Sequence, residues 1–182
     1  GHDRSDGFEQ YVEYGGQVGM EVRKASPYDE GNIRVSSSEI RRLLQEGKVE
    51  MANALLTYPY QLRGRIVSGY KVGRTIGFPT ANIEVDSPYK LLPKVGVYAV
   101  WVELLGKRYK GMLYIGKRPT LQNGDNLTIE VNILGFSGNA YNDEITVSFV
   151  YAVREDKTFE SVEALREQLE RDRQTVDKLL VE

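Results

Sequence analysis

A period-two alternation of apolar residues, repeated in six short segments from Leu62 onward, most constrains how this chain can fold. In one segment, Val97 and Ala99 fall on one face of an extended chain, and Tyr98 and Val100 fall on the other. The predicted strands are Leu62–Ser68, Ala81–Val85, Gly96–Leu105, Arg108–Ile115, Leu127–Leu134 and Glu144–Val153. Six short strands separated by turn residues lose their exposed edges when they close on themselves. We therefore predict a mainly β fold built on a closed barrel.

A helical spacing of apolar residues follows the last predicted strand. The apolar positions recur at steps of three and four residues, at Val162, Leu165, Leu169, Val176 and Leu179. This stripe predicts a C-terminal helix within Phe159–Val181 that packs on the barrel. Asp172 interrupts the stripe, and the pattern leaves open whether it is solvated, ion-paired or part of a functional contact.

The chain before the barrel has helical rather than alternating patterns. Helices are predicted over Phe8–Tyr14, ending at a glycine pair, and over Val49–Leu56, with a strand at Val18–Arg23. A capping-box pattern, Ser36 with Glu39, predicts a further helix between these segments. Proline disfavours helical angles in the residue before it, so Tyr58-Pro59 ends the last helix, and we place a domain boundary between residues 1–60 and 61–182.

Composition excludes several functional classes. With 24 Lys and Arg against 26 Asp and Glu, the net charge is −2, so no broad basic surface for nucleic acid or anionic lipid is expected. The chain has no cysteine, which excludes disulfides and thiolate chemistry, and its single histidine, His2, cannot form a metal cluster alone. No apolar run approaches the length of a membrane span. We therefore expect a soluble, cytoplasmic protein.

The stretch from Gly64 to Asn82 carries the clearest chemical pattern. Glycines let an anion approach backbone N–H groups, and nearby cations strengthen the attraction. Thr80 and Asn82 add uncharged oxygens two residues apart, of the kind that Mg²⁺ accepts beside phosphates. On composition alone, such a stretch is more often a strand, a turn and a solvated edge than a phosphate site. The glycines and cations are Gly64, Gly69, Lys71, Gly73, Arg74 and Gly77.

Residues 73–82 read Gly-Arg-Thr-Ile-Gly-Phe-Pro-Thr-Ala-Asn, which resembles the signature of riboflavin kinase, in particular the kinase half of bacterial bifunctional riboflavin kinase/FMN adenylyltransferases (FAD synthetases). The resemblance implies a six-stranded Greek-key barrel that phosphorylates riboflavin to FMN, with ATP as co-substrate, ADP as product and Mg²⁺ as cofactor. It implies Mg²⁺ ligation by Thr80 and Asn82. It implies nucleotide binding by Gly69, Lys71, Gly73, Arg74, Gly77, Pro79 and Thr80.

Glu130 has two interpretations. Strand alternation puts Thr128, Glu130 and Asn132 on one face, which on composition alone is typical of a water-facing strand side. The family carries its catalytic glutamate in a strand reading Glu-Val-x-Ile-Leu-x-Phe, and the matching string here runs from Glu130 to Phe136. The resemblance therefore implies that Glu130 is the general base. Asn132 and Gly135 stand where histidine and aspartate are common in the family, which leaves their roles open.

Two further segments resemble family strings. Arg154 and Phe159 match the two ends of a loop that closes over flavin in the family, although the segment alone is typical of a charged loop before a helix. Residues 116–120 resemble a Gly-x-Arg-Pro-Thr string that we expect beside the active site. Tyr114 stands where the family has asparagine, so its role is open.

The residues around Ser37 and Arg41 resemble a phosphate-binding signature near the end of nucleotidyltransferase domains. By this resemblance, residues 1–60 are the C-terminal, α/β remnant of an FMN adenylyltransferase domain of the same parent chain. The usual upstream His-x-Gly-His signature is absent from this sequence. Adenylyl transfer is therefore not predicted for this piece.

Two other functions remain for comparison, and one further motif is rejected. A flavin- or nucleotide-binding barrel without catalysis is favoured where the glutamate or the Thr/Asn pair is lost, and here all are present. An oligonucleotide-binding barrel needs a basic groove with interleaved aromatic residues, which the acidic balance opposes. The string from Gly111 to Lys117 has the spacing of a P-loop, but Arg118 replaces the required Ser or Thr and the spacer is strand-like.

Overall fold

The structure is a computed structural model that describes residues 7–24, 29–30, 33–67, 77–118 and 126–181. The chain divides into two compact units, Gly1–Val35 and Ser36–Glu182. The barrel and the helices that follow α1 (Phe8–Gln17) belong to the second unit: α2 (Ser37–Gln45), α3 (Val49–Leu56), β3 (Gln61–Val67), β4 (Ala81–Val85), β5 (Gly96–Leu104), β6 (Lys107–Arg118), β7 (Asn126–Ile133), β8 (Glu144–Glu155) and α4 (Val162–Leu179).

Six antiparallel strands close into a barrel in the order β3-β4-β7-β6-β5-β8, with β8 pairing back to β3. Strands β5, β6 and β7 form a meander, and β8 returns to lie beside β5, which is the Greek-key order. The predicted closed barrel with a C-terminal helix is confirmed.

Strand β5 explains why the alternation is informative. Its residues Val97, Ala99 and Trp101 form a buried cluster with Val176 and Leu180 at the end of α4. The alternate residues of the strand therefore face the barrel interior, where the Tyr98 and Phe149 rings lie 5.3 Å apart between centroids. Both faces of β5 are buried, one by the barrel and one by the helix.

Several strand boundaries differ from the prediction, most of them by one residue. The β5–β6 turn contains two residues, Leu105 and Gly106, with φ of 50° and 72°, as a type I′ turn requires. Strand β6 continues three residues beyond Ile115, because Arg118 still pairs with Asn126 at the start of β7. Strand β8 continues beyond Val153, since Arg154 and Glu155 still pair with the start of β5. Pairing partners, rather than apolar content, decide these ends.

Helices α2 and α3 belong to the same compact unit as the barrel. The Ser36 hydroxyl accepts a hydrogen bond from the Glu39 N–H at 3.2 Å, which caps α2 as predicted. The Asn53 side chain of α3 donates to the Phe149 carbonyl at 2.8 Å and accepts from the Tyr60 N–H at 2.8 Å. Helix α3 is thereby joined to β8, while the domain boundary placed at residue 60 stays a prediction.

The first unit contains α1 (Phe8–Gln17) and a two-stranded antiparallel pair, β1 (Asp29–Glu30) with β2 (Ile33–Arg34). The helix continues past the predicted end at Tyr14, and the strand predicted at Val18–Arg23 is wrong, because that segment forms no strand. A Cβ at Gly15 would lie 2.3 Å from Cγ2 of Val22. The glycine therefore lets the following segment fold back against the helix instead of ending it.

Gly64 provides a test of the barrel packing. A Cβ at this position would lie 2.1 Å from the Glu84 carbonyl oxygen of the neighbouring strand. Glycine therefore allows the backbones of β3 and β4 to approach closely here. We expect Gly64→Ala to destabilise the barrel by about 1–3 kcal/mol through overpacking, measured by thermal unfolding. Gly16→Ala is the control, since nothing lies within 4 Å of that site. An unchanged melting temperature for Gly64→Ala would contradict this assignment.

Candidate active site

A cavity of about 300 Å³ lies between the barrel wall and α4. It contains an apolar wall and a set of polar and charged side chains drawn from β6, β7, the end of β8 and the segments before β4 and α4. Its lining residues are Phe78, Thr80, Val97, Met112, Tyr114, Glu130, Asn132, Arg154, Asp156, Lys157, Phe159, Leu165 and Leu169. The cavity thus brings together Thr80, Glu130, Arg154 and Phe159, four of the residues singled out from the sequence.

Glu130 lies in the centre of the polar wall. It occupies the middle of β7, directly opposite Asn82 of β4 on one side and Tyr114 of β6 on the other. The Thr80 hydroxyl donates a hydrogen bond to the Glu130 carboxylate, with Oγ1 and Oε2 3.2 Å apart. The alternate residues Ile129 and Val131 are buried, so β7 has the predicted alternation. The carboxylate lines the cavity and is partly buried.

Asn132 contributes to the site in a way that the sequence did not reveal. Its side-chain amide donates to the Pro79 carbonyl at 2.7 Å, and the residue is only 6% exposed. This bond holds the segment before β4 beside β7 and so positions Thr80 near Glu130. Strand alternation places Asn132 on the same face as Glu130, and the family string ran through it, but neither signal predicted the bond to Pro79.

Tyr114 and Asp156 form a second polar pair in the cavity. The Tyr114 hydroxyl donates to the Asp156 carboxylate, with the oxygens 3.1 Å apart. Burial, followed by the negative charges of Asp156 and Glu130, raises the pKa of Tyr114 to about 12. The phenol is therefore protonated at neutral pH and acts as a donor. Sequence reasoning missed Asp156 because it lies in a charged run with no pattern of its own.

A β-bulge in β8 precedes Arg154 and determines on which side of the strand its side chain lies. The pairing with β5 shifts between Val97 and Tyr98, so that Val153 is an extra, bulged residue just before Arg154. The carboxylate of Glu50 in α3 accepts the Ala152 N–H at 3.2 Å next to this bulge. Arg154 lines the cavity, and its guanidinium lies 5.6 Å from the centroid of the Phe159 ring.

Asp172 of α4 is the ion-pair partner of Arg154. The Arg154 Nε donates to one carboxylate oxygen at 2.8 Å, and the Gln168 amide donates to the other at 2.8 Å. Asp172 is 2% exposed. The polar interruption of the apolar stripe is therefore an internal ion pair rather than a solvated position.

The side-chain oxygen atoms beside Glu130 are of the kind that binds Mg²⁺ when phosphate oxygens supply the remaining ligands. The Thr80 hydroxyl donates a hydrogen bond to the Glu130 carboxylate and keeps its own lone pairs, and Asn82 pairs with Glu130 across β4 and β7. In the described ranges, no group of three or more His, Cys, Asp or Glu side chains could hold a metal by itself. An ion at this place would therefore need oxygen atoms from a bound ligand.

Several predicted site residues lie at the edge of the described chain or outside it. Gly77 has a φ of 84°, in the left-handed region, and lines a separate groove of about 840 Å³ along α4. The string that resembles a P-loop lies inside β6, as its apolar spacer predicted. The residues outside the described ranges are Gly69, Lys71, Gly73 and Arg74 of the glycine-rich stretch, together with Pro119, Thr120 and His2.

The fold and the cavity define a small Greek-key barrel with a cavity on its outer wall, where a carboxylate and a hydroxyl meet. Residues 56–180 match the riboflavin kinase family, Flavokinase. The chain belongs to this family, which confirms the resemblance found in the sequence for the kinase domain.

Two relatives illustrate the match. The chain is 45% identical to the bifunctional riboflavin kinase/FMN adenylyltransferase of Listeria monocytogenes over 78% of this chain and 45% of the relative. It is 41% identical to the bifunctional riboflavin kinase/FMN adenylyltransferase of Bacillus subtilis over 80% of this chain and 46% of the relative. The chain thus spans about half the length of the curated relatives that it matches.

A solved structure described as a macrolide-efflux protein from Streptococcus pneumoniae has the same fold. It superposes with a TM-score of 0.83 and 32% identity, over 94% of this chain and 55% of that one. Within the ranges that the structure describes here, no helix combines the length and the apolar character of a membrane-spanning segment.

Proposed function

We propose that this chain transfers the γ-phosphoryl group of ATP to the 5′-hydroxyl of riboflavin, giving FMN and ADP. The observation that carries the proposal is the contact between Thr80 and Glu130, 3.2 Å apart, in a cavity of the barrel wall. This contact brings the proposed base, Glu130, next to a proposed metal ligand, Thr80, although the two residues are 50 positions apart in the chain. Membership of the riboflavin kinase family supports the choice of substrate.

In this proposal, Glu130 accepts the proton of the ribityl 5′-hydroxyl as that oxygen bonds to the γ-phosphorus. The bond from the γ-phosphorus to the bridging oxygen breaks, and ADP leaves. Such transfer needs positioning and charge neutralisation more than covalent participation by the protein. Thr80 and Asn82 would hold Mg²⁺, which when bound neutralises charge on the phosphate oxygens. Nucleotide binding is assigned to Gly69, Lys71, Gly73, Arg74, Gly77, Pro79 and Thr80.

The flavin is proposed to occupy the cavity between the barrel and α4. Phe159 and the apolar lining residues supply surface for the ring system, and Arg154 supplies a cation that its buried ion pair holds in place. The volume of about 300 Å³ is at the lower end of the range for small-molecule sites. The Tyr114 hydroxyl, protonated at neutral pH, adds a donor.

The proposed activity is tested by incubating the protein with riboflavin, ATP and Mg²⁺ and following FMN by chromatography. Riboflavin-dependent release of ADP together with FMN is expected. Flavin binding without FMN formation would instead support the alternative, a non-catalytic flavin- or nucleotide-binding barrel. Salt-sensitive binding of single-stranded oligonucleotides would support a nucleic-acid function, which the net charge of −2 disfavours.

Replacement of Thr80 tests the proposed metal ligands. We expect Thr80→Val, which keeps the shape but removes the hydroxyl, to raise the Mg²⁺ concentration for half-maximal activity by about 10-fold or more. Thr128→Val on β7 is the control, because Thr128 does not line the cavity. An unaltered magnesium titration for Thr80→Val would remove Thr80 from the set of ligands.

We also propose that residues 1–60 are the end of an FMN adenylyltransferase domain and that the parent protein converts FMN to FAD in the cytoplasm. The support is the bifunctional description of the relatives, of which this chain covers about half. FAD formation by the parent protein, and its absence for this piece alone, are the expected results. FAD formation by this piece alone would contradict the proposal.

A further inference from the structure

We infer that Asp172 and Gln168 of α4 are positioning residues that hold Arg154 and Lys157 against Phe159 and thereby set the affinity of the cavity for flavin. The inference rests on the proposed function, because it assigns the cavity to the flavin. It concerns a different part of the cavity from the Glu130–Thr80 pair, and neither α4 residue lines the cavity itself.

The contacts form one connected chain of hydrogen bonds. Lys157 Nζ donates to the Gln168 side-chain oxygen at 2.7 Å, and the amide nitrogen of Gln168 donates to Asp172 at 2.8 Å. The second oxygen of Asp172 accepts from Arg154 Nε at 2.8 Å. Gln168 and Asp172 are four residues apart on α4, so one turn of the helix engages both cations.

Both cations also contact the same aromatic ring. Lys157 Nζ lies 5.1 Å and the Arg154 guanidinium 5.6 Å from the centroid of Phe159, within the range of cation–π attraction. Arg154, Lys157 and Phe159 all line the cavity. The helix turn therefore constrains three lining residues at once.

The burial of Asp172 argues for a positioning role. The residue is 2% exposed and stands in the apolar stripe between Leu169 and Val176. A buried ion pair contributes little net stability, because desolvation offsets its attraction, and an apolar residue is often equally stable at such a place. Stability alone therefore gives no reason for a carboxylate here. A fixed carboxylate does determine where the guanidinium of Arg154 is held.

The chain offers a matched control on the same helix. Asp177 of α4 accepts a hydrogen bond from Lys110 of β6 at 2.6 Å, also joining the helix to the barrel. Asp177 is 67% exposed, and neither it nor Lys110 lines the cavity. Asp177→Asn therefore removes a helix–barrel ion pair without touching the proposed flavin site.

The test compares Asp172→Asn, Gln168→Met and Asp177→Asn. Asp172→Asn replaces one carboxylate oxygen with an NH2 group, which cannot accept a hydrogen bond. One of the two bonds from Arg154 and Gln168 is therefore lost. We expect Asp172→Asn to raise the KM and the dissociation constant for riboflavin about 10-fold or more, a loss of about 1.4 kcal/mol, with the KM for ATP within about twofold. Gln168→Met keeps the buried ion pair, and we expect a smaller increase in the same direction. Asp177→Asn should match the wild type.

Riboflavin binding is measured by flavin fluorescence, separately from turnover and from thermal unfolding. If the wild type binds riboflavin without forming FMN, the proposed function is wrong, and the binding comparison still decides this inference. Equal riboflavin affinities for the three variants and the wild type would overturn it. It is also overturned if the wild type binds no riboflavin, or if a loss of affinity in Asp172→Asn is accompanied by an equal loss for ATP. If Asp172→Asn fails to fold, the result for Gln168→Met decides.

Discussion

Replacing Glu130 with glutamine is expected to lower kcat by about 10²–10⁴-fold, the usual contribution of a general base. The amide has nearly the same shape as the carboxylate, and its oxygen can still accept the hydrogen bond that Thr80 donates. It cannot accept the proton of the attacking hydroxyl. The KM for riboflavin should therefore change little, while turnover falls.

The measurement is the steady-state rate of FMN formation at saturating ATP and Mg²⁺. The control is Glu84→Gln on the neighbouring strand β4, where the glutamate is exposed and outside the cavity. Glu84→Gln should leave kcat unchanged. Retained turnover in Glu130→Gln would remove Glu130 from the role of base, and a large increase in the riboflavin KM would indicate a binding role instead.

Deleting residues 1–60 is expected to prevent the barrel from folding stably, whereas deleting residues 1–35 should leave it folded. The longer deletion removes α2 and α3, whose residues Leu43, Leu44, Val49 and Ala52 are at most 1% exposed. Burial of each large aliphatic side chain contributes about 1.5–3 kcal/mol, and the net stability of a domain is only about 5–15 kcal/mol. The longer deletion also removes both hydrogen bonds of Asn53.

The two deletions are compared by circular dichroism and thermal unfolding. The chain that begins at Ser36 should show a cooperative transition, since residues 36–182 form one compact unit. The chain that begins at Gln61 should aggregate or unfold without cooperativity. A cooperative transition of equal midpoint in both would show that α2 and α3 are dispensable to the barrel.

Much of the fold could be predicted from local pattern. The alternation along β5 and β7 and the capping residue Ser36 are properties of short segments, and they appear in the structure where the sequence placed them. The strand ends were less predictable, because Arg154 and Glu155 belong to β8 only through their pairing with β5. The segment Val18–Arg23 alternates like a strand but pairs with no strand in the described part of the chain, so the pattern alone was misleading.

The candidate site was only partly accessible from the sequence. The string ending in Asn82 and the Glu130 strand were recognised through their resemblance to a family. The roles of Asn132, Asp156 and Gln168 were not recognised, because each depends on hydrogen-bond partners that the local sequence does not reveal. Asn132 also differs from the residue that is common at its place in the family string. A side chain that acts by holding another residue has no local signature.

By itself, the sequence determined the period of each element, the apolar faces and the chemistry available for a site. Only the tertiary structure decided that Thr80 and Glu130, 50 residues apart, share a hydrogen bond, and that the carboxylate of Asp172 is buried against Arg154. The physical reason is that periodicity is a local property of the backbone. Strand register and helix docking depend instead on which buried surfaces fit together across the whole barrel.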